Sequence, residues 1–281
     1  MPATRYPVGT IITICLLLLF TGCASRTKNY SSSVVQYLYP NQEEVIETPA
    51  IPHLTLPLHV GIAFVPENTK KRNQPLTERN KMVLMKSVSE HFKKYEFIKS
   101  IDLIPSAYLT PEGSFTNLKQ IQTMYGIDVI TLLSFDQSQF TDEGLATITY
   151  WTLVGAYVIP GEKNDTHTML DAAVYDIKSR KMLFRAPGTS RIKSNATPVN
   201  LAEQHRLDAE NGFALASKEL ILNLDLQLEL FREKVKEEPE DYQIEHSPSY
   251  TGAGSMDSSF MAVMGLLLGG YWVWRRKHLP A

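Results

Sequence analysis

The chain has 281 residues, with 28 basic and 30 acidic side chains and a formal net charge of −2. At 43% hydrophobic and 21% charged residues it has the balance of a globular protein with room for one or two domains. The near-neutral charge supplies no field for nucleic acid. Its two cysteines, Cys15 and Cys23, both lie at the start, so no disulfide framework or thiolate metal site is available further on. Seven histidines fall at no metal-ligand spacing, so neither a metal nor a cofactor is expected.

Residues 1–22 have the parts of an export signal. Arg5 gives a positive start, Val8 to Phe20 is an apolar run too short for a span, and small residues precede Cys23. The string Leu19-Phe20-Thr21-Gly22-Cys23 resembles the bacterial lipobox, with Phe20 where that pattern prefers Leu. The resemblance implies cleavage between Gly22 and Cys23 by lipoprotein-processing enzymes, and lipidation of Cys23. One acyl chain holds a protein only marginally, at about 0.8 kcal/mol per buried CH₂; three chains would hold it in the membrane lipid permanently. Ala24, in place of Asp, implies transfer to the outer membrane. Residues 23–56 are rich in Ser, Asn, Pro and Thr and read as a flexible tether, in which Tyr30, Tyr37 and Tyr39 are stray aromatics.

Residues 57–236 carry regular patterning. "LHVGIAFVP" reads as a strand closed by Pro66. Thr77 is placed to cap a helix whose apolar face is Leu84, Val88, Phe92 and Tyr95. "IKSIDLIP" is a second strand. Thr116 or Asn117 is expected to start a second helix, with Leu118, Ile121 and Tyr125 on one side and Gly126 as its C-terminal cap. "DVITLLSF" is apolar nearly throughout, as a central strand covered on both faces would be. "LATITYWTLVGAYVIPG" reads as a long strand containing Trp151. Two more strands follow, joined in a hairpin at Lys178-Ser179-Arg180. Asn200 with Glu203 has the spacing of a capping box. It opens a long helix to about Lys236, with Phe213, Ala216, Leu220, Leu224 and Phe231 as its inner stripe. The class is α/β: a single mixed, partly antiparallel sheet flanked by helices, with a long C-terminal helix. This layout is similar to curli-secretion-type (CsgG-like) lipoproteins and to the TolB N-terminal domain.

Catalytic motifs are absent from the sequence: there is no G-x-S-x-G, H-E-x-x-H or P-loop. Ser190 and Ser194 have no obvious base. Asp171 and Asp176, at odd spacing, face opposite sides of a strand and read as turn or edge carboxylates. His205 is expected on a solvated helix face and Trp151 in the core.

Residues 237–255 read as a linker and 256–281 as a hydrophobic tail. The run Phe260 to Trp274 carries no charge, and extension back to Met256 gives a minimal span at the cost of including Asp257. Tyr271, Trp272 and Trp274 suit an interface, and Arg275, Arg276 and Lys277 form a basic stop that belongs in the cytoplasm. The small residues Gly252-Ala253-Gly254-Ser255 disfavour helix just before the span. Small-residue motif, apolar segment and basic cluster together resemble the GlyGly-CTERM sorting tail, although Gly-Ala-Gly-Ser is not a clean Gly-Gly. That resemblance implies cleavage by a rhombosortase-like intramembrane protease. With the lipobox, it resembles the rhombotarget lipoprotein family.

The expected protein is therefore a cell-envelope lipoprotein. It would begin as an inner-membrane precursor and mature into an outer-membrane form. Its folded part would be a non-catalytic binding or assembly module for an unknown envelope protein partner. The alternatives are a tether fixed permanently at both ends and an envelope hydrolase with an unrecognised site.

Overall fold

The structure is a computed structural model that describes residues 25–40, 50–66, 76–143 and 162–247. Cys23 and Gly22, the motif Gly252-Ala253-Gly254-Ser255, the basic stop Arg275, Arg276 and Lys277, and the expected strand around Trp151 lie outside these residues.

A six-stranded mixed sheet forms the centre. Its axis is β5 (Val129–Glu143), longer than the apolar run that announced it. Along one edge, β5 pairs for its whole length with β6 (Glu162–Asp176), and β6 with β7 (Met182–Ala196), both antiparallel. The other edge is shared. β3 (Leu58–Phe64) pairs parallel with Val129–Leu133, and β1 (Ser25–Ser31) pairs antiparallel with Asp136–Asp142. β4 (Ile98–Ile104) lies parallel outside β3.

Helices cover both faces. On one face, α1 (Val34–Leu38) and α3 (Ser114–Tyr125) pack against the side chains of Ala63, Ile130, Leu132 and Tyr175. On the other, α2 (Glu78–Phe92) and α4 (Leu201–Glu237) pack against Ile62, Phe64, Leu133, Leu170 and Ala172. The sheet thus sends alternate residues into two cores, which explains why the central strand shows no polar–apolar alternation in its first half. At 37 residues, α4 is about 55 Å long and runs over both halves of the hairpin. It comes close to β7 at Gly188, where a Cβ would stand 2.2 Å from the Ala216 carbonyl oxygen and 2.6 Å from the Leu220 nitrogen.

Several expectations hold. Thr77 caps α2, its hydroxyl accepting from the Asn80 N–H at 3.2 Å. Gly126 caps α3 with φ +65°, a conformation glycine adopts without a Cβ penalty. The Lys178–Arg180 hairpin turn forms, held by Asp176, whose carboxylate accepts from the Ser179 N–H at 3.0 Å.

Others are corrected. Much of the supposed tether is structure: β1, α1 and β2 (His53–Leu56) all fall within it. Tyr37 is 2% exposed, donates to Asn117 Oδ1 at 2.8 Å, and burial pushes its phenol up. Composition misled because few apolar residues are needed when a strand docks edge-on through its backbone. The supposed linker contributes β8 (Gln243–His246), which pairs parallel with β2 in a separate two-stranded strap. Helix α3 starts at Ser114, not at 116 or 117. Asn117 is instead buried, and its Oδ1 also accepts from the Thr110 N–H at 2.9 Å. No capping box forms at α4: Asn200 Oδ1 turns back to accept from Thr197 N and Oγ1 at 2.7 and 3.0 Å.

Candidate functional site: an apolar cleft at one end of the sheet

The cleft lies where β3 and β5 begin, on the α4 face of the sheet. Its floor is Val60, Ile62, Val129, Thr131 and Val174, the residues that alternation places on that face. One wall is α2 and β4, through Val88, Phe92, Ile98 and Ile101; the other is α4, through Leu224, Leu228 and Phe231. The strap closes the end with Leu54, Leu56 and Ile244. The half-enclosed space is about 300 Å³, at the small end of ligand pockets. Thr131, Arg232 and Lys236 are the polar residues among those that line it, and both charged ones are cations.

The strap depends on packing at the end of α4. Tyr242, 5% exposed, meets Phe231 edge-on with centroids 5.4 Å apart, and Lys181 sits 4.6 Å from the centre of its ring. The Ser247 N–H donates to the Leu56 carbonyl at 2.8 Å, so the strap ends beside the cleft. Arg232 stands at the mouth, with its guanidinium 5.9 Å from the Phe97 ring centre and bonded to Glu229 at 2.9 and 3.2 Å. Two turns before Arg232, Asp225 clamps α2 to α4, meeting His91 Nε2 at 2.5 Å and accepting from the Tyr95 hydroxyl at 2.8 Å. Partial burial raises the Asp225 carboxyl, but His91, Tyr95 and Lys94 together hold it below the usual carboxylate range. Burial and the same carboxylate push the Tyr95 phenol up to about 12.

The titratable residues singled out in the sequence lie elsewhere. Asp171 is not at a turn or edge: it is 7% exposed within β6 and takes a 2.6 Å bond from Arg185 Nε. Burial raises its pKa, and the guanidinium opposes the rise. His205 is not on a solvated face: it is 7% exposed, under the first turns of α4. Its Nε2 meets Thr141 Oγ1 at 3.0 Å, and Nδ1 has no partner among the described residues. Burial lowers its pKa; Lys28 adds to that and Asp208 opposes it. Ser194 donates to Asp208 at 2.5 Å and Ser190 to the Gly212 carbonyl at 2.7 Å. Ser194 thus has a carboxylate partner that the sequence did not suggest, while the His205 imidazole turns to Thr141, and these bonds secure the start of α4 to the sheet.

The cleft residues were visible in the sequence only as strand and helix interiors. Their convergence depends on the strap, whose two strands are nearly two hundred residues apart, and that pairing has no local signal.

Among the described residues, no helix is long and apolar enough to cross a membrane, and no cluster of His, Cys, Asp and Glu could hold a metal. No family model matches the chain, and no curated protein matches it. A solved structure, the hypothetical protein CT253 from Chlamydia trachomatis, is similar at 13% identity. The likeness covers 65% of this chain and 96% of that one, at a TM-score of 0.25. A likeness that weak carries no argument.

Proposed function

We propose that this chain is a bacterial cell-envelope lipoprotein. It is anchored by acyl chains on Cys23 and trimmed near Gly254 by a rhombosortase-like protease. Its folded body is a non-catalytic binding module that works through the apolar cleft. The observation that carries this reading is the placing of the cleft relative to the N-terminus. Ser25 pairs with Asp142 at one end of β5, and Val129 lines the cleft at the other, about 44 Å away at the rise of an antiparallel strand. Cys23 precedes Ser25 by two residues, at most about 7 Å of chain. A lipid on Cys23 would therefore hold one end of the sheet against the membrane and present the cleft at the far end.

Trimming of the tail fits the same geometry. The strap ends at Ser247 beside the cleft, and the apolar tail begins near Met256. Nine residues reach about 30 Å when fully extended. A retained tail would draw the cleft end back toward the bilayer that holds the other end. Its removal would free the cleft to face a partner.

Two measurements test this. Labelled palmitate should enter the wild-type protein and not Cys23→Ser. Intact mass of protein purified from cells should lack the last two dozen or so residues. A mass that retains them supports instead a chain fixed at both ends.

A further inference from the structure

We propose that the cleft binds one long-chain fatty acid, with its carboxylate between Arg232 and Lys236. The inference deepens the binding-module reading and rests on it for the cleft being the working site. Three observations lead there. First, the walls are aliphatic and aromatic, and Thr131 is the uncharged polar residue that lines them. Such a surface recognises hydrocarbon by area and offers little to a polar metabolite. Second, the space of about 300 Å³ is at the small end of ligand pockets, a scale closer to one hydrocarbon chain than to the two tails of a phospholipid.

Third, the two charged residues among those that line the cleft are both cations and stand at one point. Arg232 and Lys236 are four residues apart on α4, so they stand one above the other on the same helix face. A guanidinium and an ammonium side by side suit an anionic head group, and the guanidinium fork matches a carboxylate. Glu229 now holds Arg232, but that pair is exposed on both sides and is worth little. A carboxylate delivered by an acyl chain in the cleft can displace it.

Two occupants from the chain itself fit poorly. The acyl chains on Cys23 would start at the far end of β5, about 44 Å away, whereas one leaflet of hydrocarbon is about 15 Å deep. The apolar C-terminal stretch can reach, but it brings Arg275, Arg276 and Lys277 toward a mouth that is already cationic.

The test uses the full-length protein in phosphatidylcholine vesicles, with a diazirine-bearing palmitate as the probe. After illumination, label should map to the segment Leu224–Lys236 and to the strap. Palmitate should compete at least tenfold better than hexadecanol, which has the same tail without the charge. The double variant R232E/K236E changes exposed residues, so it should fold normally while its apparent affinity falls roughly tenfold or more. Val235→Trp, at the mouth, should also reduce labelling. Equal labelling of wild type and R232E/K236E, equal competition by the alcohol, or label confined to residues outside the cleft would each overturn the proposal. Cys23→Ser separates the two readings: it removes covalent palmitate and should leave cleft labelling unchanged.

Discussion

The two halves of the long hairpin are built from the same strands and lie under the same helix, yet their cores differ. Toward the cleft, α4 presents Phe213, Ala216, Leu220 and Leu224 to Leu133, Leu170 and Ala172. Toward the N-terminal strand, the same face of the sheet presents Gln137, Gln139 and Thr141 from β5, and Glu162, Asn164, Thr166 and Thr168 from β6, all buried. These meet the start of α4 through a hydrogen-bonded band. Gln137 Nε2 donates to Thr168 Oγ1 at 2.8 Å, Gln139 Nε2 to the His205 carbonyl at 2.8 Å, and Gln204 Nε2 to Asp208 Oδ1 at 2.9 Å. One half is held by apolar area, which is insensitive to direction. The other is held by paired polar groups, which tolerate only one register.

The largest effect should come from the apolar half. Leu220 is fully buried, so Leu220→Ala should cost about 2–5 kcal/mol in denaturant unfolding. A cost below about 1 kcal/mol would mean that the helix is not seated as described.

Next comes the polar band, where two threonines on one strand face should behave in opposite ways. Thr168→Val removes the acceptor for Gln137 and should cost about 1–3 kcal/mol, since it leaves a buried donor with only a 3.3 Å bond to Ala209 O.

A pH dependence should also belong to this half. His205 has its pKa lowered by burial, so in acid the unfolded chain binds a proton that the folded chain resists. Its contribution is thus fully present above the ordinary histidine range and is lost as pH falls through that range toward the lower folded value. The melting temperature of the wild type should fall between pH 7 and pH 5 more steeply than that of His205→Gln. Parallel curves would remove the histidine from the account. Asp165, whose carboxylate is lowered chiefly by its bonds from Arg191, adds a separate loss at more acid pH, where carboxylates protonate.

The smallest effect is expected at Thr166, 0% exposed, whose Oγ1 has no partner among the described residues. Thr166→Val keeps the shape and removes an unpaired hydroxyl, so stability should change by no more than about 0.5 kcal/mol or should rise. If Thr166→Val and Thr168→Val cost the same, the band is not a specific network.

Much of this architecture was legible. Periodicity located α2, α4, β3 and β4; the apolar run "DVITLLSF" marked the middle of the sheet, and Lys178–Arg180 the hairpin turn. The polar half of β5 was not legible, because Asp136-Gln137-Ser138-Gln139 carries no apolar alternation for a reader to follow. His205 was misplaced for the same reason: a polar residue is assigned to water unless a polar partner is seen across from it, and Thr141 is remote in sequence. The cleft cations Arg232 and Lys236 lie in the run Arg232-Glu233-Lys234-Val235-Lys236, where no local pattern sets them apart from other helix-surface charges.

The sequence by itself determined most of the elements between residues 57 and 236 and their class, and it carries the lipobox-like and tail-like strings at its two ends, because each is written in contiguous residues and short-range spacing. Tertiary structure alone decided that the segment after Cys23 is a strand on β5 and that the segment after α4 returns to cover a cleft. Both are backbone pairings between distant stretches, and a strand that docks through its N–H and C=O groups leaves almost no trace in its side chains.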